Sequence, residues 1–174
     1  MTEELLALAP RLQVVARYGV GVESVDLAAA GRRGVLVTNT PGANSEAVAE
    51  HAVALFLTCL RHVVPGDHDV RHGTWRTRRG RELGSIRVGV VGVVGAGRIG
   101  RGVLRLMSAL GTEIRCSDPY LSAADAAEIG VTVVGPRELA ATGDVVSLHA
   151  PGGQVIVDDG WLDAARPAGR GSFS

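Results

Sequence analysis

Along this chain the spacing of apolar positions alternates between a strand period and a helix period. Leu12 to Ala16, Val35-Leu36-Val37, Val88 to Val94, Val131 to Val134 and Val145 to Leu148 are short, mostly β-branched runs and predict strands. The segments between them carry helical spacing. Glu3 to Leu8 predicts a helix closed by Pro10, and Ser24 to Ala30 a short helix ending near Gly31. Ile99, Val103, Leu106, Met107 and Leu110 share one stripe of a longer helix. Ser122 to Glu128 and Pro136 to Leu139 predict two short ones. Asn44 or Ser45 can cap a long helix that runs to about His62. Its middle, Ala52 to Leu57, is apolar nearly all round, which predicts burial on several sides, with core or capping roles for His51 and His62. Val63 to Leu83 is polar, contains Pro65, Gly66, Gly73 and Gly80, and reads as a connecting segment. Strands alternating with helices imply an α/β fold with a parallel sheet. From Pro151 onward the pattern weakens.

One stretch carries more than fold. Residues Arg87 to Asp118 run strand, glycine turn, helix, strand, acid, with the turn Gly95-Ala96-Gly97-Arg98-Ile99-Gly100. That context turns a weak glycine motif into a dinucleotide-binding pattern. Gly95 permits the tight turn, Gly97 lets the backbone approach a pyrophosphate, and Gly100 lets helix and strand pack closely. The helix start then offers N–H groups and a positive dipole end to the phosphates. Asp118, 18 residues after Gly100, stands where a carboxylate accepts the 2′-OH of the adenosine ribose and repels a 2′-phosphate. NAD is therefore expected over NADP.

Other candidates are weaker. Tyr18-Gly19-Val20-Gly21 follows a strand and is either an anion-binding nest of N–H groups or a plain turn. His149 ends a strand on the edge where such sheets bind ligands, and is either a ligand contact or a structural histidine. His68 and His72 have a metal-like spacing, but the segment lacks the glutamate of a catalytic zinc motif, so no metal is expected. The arginine-rich run Arg71 to Arg81, with Trp75, reads as a solvated linker. Asp144 is a strand-edge carboxylate with no partner nearby in sequence. No complete catalytic set is visible.

Composition narrows the classes. The chain is 46% hydrophobic but only 3% aromatic, so its core is built from Val, Leu, Ile and Ala. Formal net charge is +0, which gives no global attraction to nucleic acid or membrane. All 18 basic residues are arginine, which excludes lysine-based covalent catalysis. Cys59 and Cys116 lack metal-ligand spacing and suit a reducing, cytoplasmic setting. No signal-peptide pattern is seen, and the longest apolar run, Ala52 to Leu57, is too short for a bilayer.

Taken together, several motifs resemble the NAD-dependent D-isomer-specific 2-hydroxyacid dehydrogenases. They are Arg17 to Gly21, Val25-Asp26, Val37 to Asn44, Ala49 to Ala52, Gly95 to Gly100, Asp118-Pro119-Tyr120 and Asp144 to Pro151, in the family's order. The resemblance implies a Rossmann-type doubly wound parallel sheet, in part, and part of a flavodoxin-like substrate domain, with NAD in the cleft between domains. It implies residues 1–43 as partial substrate domain, 44–66 as interdomain helix and 67–174 as NAD-binding domain. Val20 and Gly21 would hold the substrate carboxylate through their amides. Asn44, Gly95, Gly97, Arg98, Ile99, Gly100, Asp118, Pro119, His149, Ala150 and Pro151 would contact NAD. The substrate would be a small 2-hydroxy or 2-oxo acid, and the region 45–62 would be a homodimer contact. The family's catalytic arginine, glutamate and histidine would lie beyond Ser174, so none is assigned and residues 1–174 alone are expected to be inactive. A non-catalytic NAD-binding, partner-binding module and a non-functional gene fragment are the other readings. Two departures stand out: the strand before Gly95 is three residues longer than the family pattern, and Gly152-Gly153-Gln154 replaces its usual L-T-P-x-T.

Overall fold

Short polar side chains start the helices. Thr2, Asp26, Ser122 and Asp158 each accept a hydrogen bond from the backbone N–H three residues on, opening α1 (Glu3–Ala7), α2 (Leu27–Arg32), α6 (Ala123–Glu128) and α8 (Asp159–Ala164). Such caps satisfy donors that the helix itself leaves without partners. Pro136 stands in the first turn of α7 (Pro136–Thr142), where its missing N–H costs no helical bond. The computed structural model describes residues 1–74, 83, 87–91, 95–150 and 155–166. They divide into two units, Met1–Glu46 and Ala47–Ser174.

In the first unit, β1 (Val14–Arg17) and β2 (Leu36–Asn39) pair in parallel, Val14 opposite Leu36. The return between parallel strands needs a crossover, and α2 supplies it. Leu6, Ala29, Ala30 and Val35 form the buried core, flanked by Leu12, Val15 and Val37. The two alanines lie on one face of α2 and let it sit close to the strands.

The second unit holds a four-stranded parallel sheet in the order β5-β4-β3-β6. These strands are β3 (Arg87–Val91), β4 (Glu113–Ser117), β5 (Thr132–Val133) and β6 (Val145–Leu148). The chain winds from β3 outward to β5, then returns to the other side of β3, so the strand order reverses between β3 and β6. Helix α5 (Arg98–Ala109) presents Val103, Leu104 and Met107 to the core, against Ile114 and Cys116 of β4. Helix α3 (Ser45–Leu60) adds Ala49, Val53 and Leu60 to the same cluster. The two helices meet at Gly102, where a Cβ would lie 2.8 Å from the Ala49 Cβ.

Two expectations need correction. The apolar helix α3 is buried along one face only; Leu55 is 52% exposed, and Cys59 and His51 are exposed as well. The run of apolar residues fixed its hydrophobicity but not which side a neighbour would cover. The stretch predicted as a connector begins with a helix, α4 (Val63–Arg71). Pro65 falls in its first turn, where proline is tolerated, and Asp67 pairs with Arg71 one turn on at 2.9 Å. The break between α3 and α4 is a 58° bend at His62, which adopts the left-handed conformation at φ 53°. Asp144, which has no partner nearby in sequence, pairs with Arg166 at 3.4 Å from 22 residues away. Gly92 to Val94 of the predicted strand, Trp75 and most of the arginine-rich run lie outside the described residues. Among the described residues no single helix is long and apolar enough to cross a membrane.

Candidate functional site

The sheet register aligns the candidate residues. Val91 at the end of β3 lies between Ser117 of β4 and Leu148 of β6. Asp118 and His149 are the next residues on either side, at the carboxyl edge. Open α/β sheets bind ligands along this edge, where the strand order reverses. The glycine turn before α5 joins them through a hydrogen bond: the Ala96 N–H donates to Asp118 Oδ2 at 2.8 Å.

The turn is built to present backbone. Gly97 is the N-cap of α5 at φ −67° and ψ −170°, extended backbone that any residue adopts, so its role is the absent side chain. No side chain caps this helix start, and its N–H groups carry the positive end of the helix dipole. Gly95 and Gly100 are buried, Ile99 is half-buried and Arg98 exposed.

Asp118 is only 7% exposed, and both of its oxygens are engaged. Oδ2 takes the Ala96 N–H and Oδ1 takes the Tyr120 N–H, each at 2.8 Å. The carboxylate therefore braces the glycine turn against its own loop, while each oxygen keeps a second acceptor position. Pro119 and Tyr120 beside it are exposed. Beneath lies Cys116, whose thiol is pushed up to about 11 by burial and by the Asp118 charge, with Arg101 pulling the other way. That thiol is protonated at neutral pH and unreactive.

A cleft of about 980 Å³ opens beside Asp118. Its walls are Ser117 to Pro119, the stretch Val133 to Glu138, and Asp158 and Trp161 around α8. Mostly apolar walls with a few charged groups suit a flat heterocycle bearing polar substituents. Trp161 lines this cleft, and its buried Nε1 has no hydrogen-bond partner among the described residues. On the other side of β3, His149 is half-buried with Nε2 2.8 Å from Ser147 Oγ. Burial lowers its pKa from the ordinary value, so the imidazole is neutral at neutral pH.

In the first unit, the loop after β1 turns at Gly19, φ 109°. Its carbonyls are held in succession: Gly19 by the Thr40 N–H at 2.9 Å, Val20 by Asn39 Nδ2 at 2.9 Å, and Gly21 by Arg17 Nε at 3.1 Å. A trans peptide points its N–H opposite its carbonyl. The N–H groups of Val20, Gly21 and Val22 are thus turned away from the groups that hold those carbonyls. Asn44 is half-buried just before α3.

Of the sequence candidates, Gly95, Gly97, Arg98, Ile99, Gly100, Asp118, Pro119, His149 and Ala150 share the edge of the second unit. Val20, Gly21 and Asn44 belong to the first unit, and Pro151 lies outside the described residues. His68 and His72 stack on α4 with ring centroids 4.1 Å apart, and His72 Nδ1 donates to the His68 carbonyl at 2.8 Å. Among the described residues no group of three potential metal ligands gathers. Sequence reasoning missed Trp161, Arg101 and Gly102. Only the small residue in a core helix was a readable signal, for Gly102.

Residues 1–160 match the family pattern of the D-isomer specific 2-hydroxyacid dehydrogenase, catalytic domain. A D-3-phosphoglycerate dehydrogenase of Mycobacterium bovis is 44% identical over 149 residues, 85% of this chain and 28% of the relative. Among solved structures, a D-lactate dehydrogenase of Aquifex aeolicus, complexed with NAD and lactic acid, is 34% identical with a TM-score of 0.72. It covers 86% of this chain and 44% of its own. A dehydrogenase of Rhizobium meliloti is 33% identical at TM-score 0.77, covering 97% of this chain and 56% of its own. The chain thus spans 28% of the length of the mycobacterial relative.

Proposed function

The chain belongs to the D-isomer-specific 2-hydroxyacid dehydrogenase family, and we propose from that premise that it binds NAD and the carboxylate of a 2-hydroxy or 2-oxo acid. The observation that carries the cofactor half is the bond between Asp118 and the glycine turn at an uncapped helix start. The residues present fit the group. The N–H groups opening α5 suit a pyrophosphate. The remaining acceptor positions of Asp118 suit the ribose hydroxyls, and its charge disfavours a 2′-phosphate. The cleft between Pro119 and Trp161, with mostly apolar walls, suits the adenine. His149, Ala150 and Pro151 are read as the nicotinamide side, and Asn44 as a further contact. The strand order and the position of the turn support a Rossmann-type, doubly wound sheet for this unit.

Val20 and Gly21 are read as the substrate clamp. Their amides share peptides with the Gly19 and Val20 carbonyls, which the Thr40 N–H and Asn39 Nδ2 hold, and this leaves the amides to receive an anion. Bound NAD supplies the hydride acceptor or donor; the chain's own residues bind and orient. His149 is neutral and has Ser147, not a carboxylate, as its hydrogen-bond partner, which does not suit it as the proton-exchanging acid of the reaction. Residues 1–174 are therefore proposed to bind NADH without turning over a 2-oxo acid. Titration with NADH by fluorescence, followed by an assay with phosphohydroxypyruvate, glyoxylate and pyruvate, tests both parts. Steady NADH oxidation contradicts the second, and absence of binding contradicts the first. Exposed Leu55 on α3, with Val63 and Val64 just beyond, supports a second copy pairing along this region, which sedimentation tests.

A further inference from the structure

We propose that Arg101 is a positioning residue for the phosphate-binding turn, an inference that rests on the NAD reading above. Arg101 Nε donates to the Ala96 carbonyl at 2.8 Å, and the Arg101 backbone N–H donates to the Gly97 carbonyl at 2.9 Å. One residue thus holds two successive carbonyls, one through its side chain and one through its backbone. In a planar trans peptide the N–H points opposite the carbonyl. Anchoring these carbonyls fixes the direction of the Gly97 and Arg98 N–H groups, which are among those α5 offers to a pyrophosphate.

Asp118 completes the arrangement from the other side by taking the Ala96 N–H at 2.8 Å. Both peptides that flank the Ala96 Cα are therefore tied, one to a carboxylate and one to a guanidinium. The glycines on either side have no side chain that could do this work. Ala96 is 6% exposed, so its carbonyl has little water to replace Arg101. The guanidinium also lies close enough to the sheet edge for its charge to be felt at Cys116. With Arg101 removed, the Ala96–Gly97 peptide loses its anchor and can rotate, and the Gly97 N–H loses its preset direction. An entropic cost then falls on the binding of any pyrophosphate.

The test uses the whole 174-residue chain with Arg101→Met and Arg101→Lys, titrated with NADH, ADP-ribose and adenosine by NMR. Arg101→Met is expected to weaken NADH and ADP-ribose about tenfold, or about 1.4 kcal/mol, with adenosine affinity unchanged. Arg101→Lys keeps the charge and the helix but not the guanidinium Nε, and is expected to recover part of the loss. If Arg101→Met does not fold, the lysine variant decides: about threefold weaker NADH with unchanged adenosine supports the proposal. Unchanged NADH affinity in the folded variants overturns it. Equal weakening of adenosine and NADH also overturns it, because a general structural role moves every ligand. If the wild-type chain binds adenosine but neither NADH nor ADP-ribose, the NAD reading itself has failed.

Discussion

Replacing Asp118 by asparagine separates its two roles. The substitution preserves shape, removes one acceptor oxygen and puts an NH₂ in its place. Each carboxylate oxygen now holds a backbone N–H at 2.8 Å, so in the variant one of those donors faces another donor. The Ala96 side of the brace is the less forgiving, because Ala96 is 6% exposed whereas Tyr120 is 73% exposed. The amide oxygen is expected to stay on the Ala96 N–H, leaving the Tyr120 N–H to water. A charge-assisted bond is worth roughly 1.5–3 kcal/mol, and partial replacement by water brings the loss to about 1–2 kcal/mol. For a chain of this size that lowers Tm by about 2–4 °C per kcal/mol. Under the proposed NAD reading, the negative charge that would face the ribose is lost as well, so the expected preference for NADH over NADPH should narrow. Thermal unfolding by circular dichroism and parallel NADH and NADPH titrations read the two effects separately. An unchanged Tm refutes the brace. A lowered Tm with an unchanged NADH-to-NADPH ratio refutes the ribose assignment and leaves the brace standing.

Three other outcomes follow from the packing and the buried groups. Gly102→Ala puts a methyl 2.8 Å from the Ala49 Cβ, and overpacking of roughly 1–3 kcal/mol outweighs the helix propensity gained; Ala49→Gly in the same chain should restore part of the urea midpoint, and a neutral single variant contradicts the close α3–α5 contact. Burial holds the His149 pKa below its ordinary value, so between that lowered value and about 6.5 the unfolded chain binds more protons and stability falls as pH falls. Urea melts of wild type and His149→Gln should diverge on acidification in that window, and parallel curves contradict the burial of a neutral imidazole. Near pH 8 an aromatic disulfide reagent should label exposed Cys59 quickly and Cys116, pushed up to about 11, only after denaturation. Two equally fast thiols contradict the core position of Cys116.

The elements whose periodicity is set by one buried face were legible along the chain. The stripe Ile99, Val103 and Met107 predicts α5 because one sheet covers one side of it, and Asp118 falls at the end of β4, a short strand that buries Ile114 and Cys116 in alternation. The glycine turn and the acid could be paired by spacing alone, since the geometry of a strand–helix–strand unit fixes both. Legibility failed where the outcome depends on distant partners. Nothing local says that Arg166 will reach Asp144, or that the outer face of α3 is left uncovered. Pro65 misled because the penalty for proline depends on its position in the helix, and α4 starts only two residues before it. Arg101 was invisible because arginine after a glycine turn is unremarkable until its Nε is seen on the Ala96 carbonyl.

The central claim, that the carboxyl edge of the second unit holds NAD, is tested most directly by titrating residues 1–174 with NADH. Saturable binding in the micromolar range, roughly −8 kcal/mol, that ADP-ribose displaces and Asp118→Asn weakens is the predicted result. No saturation at about 1 mM, equivalent to about −4 kcal/mol, in a chain shown to be folded contradicts it.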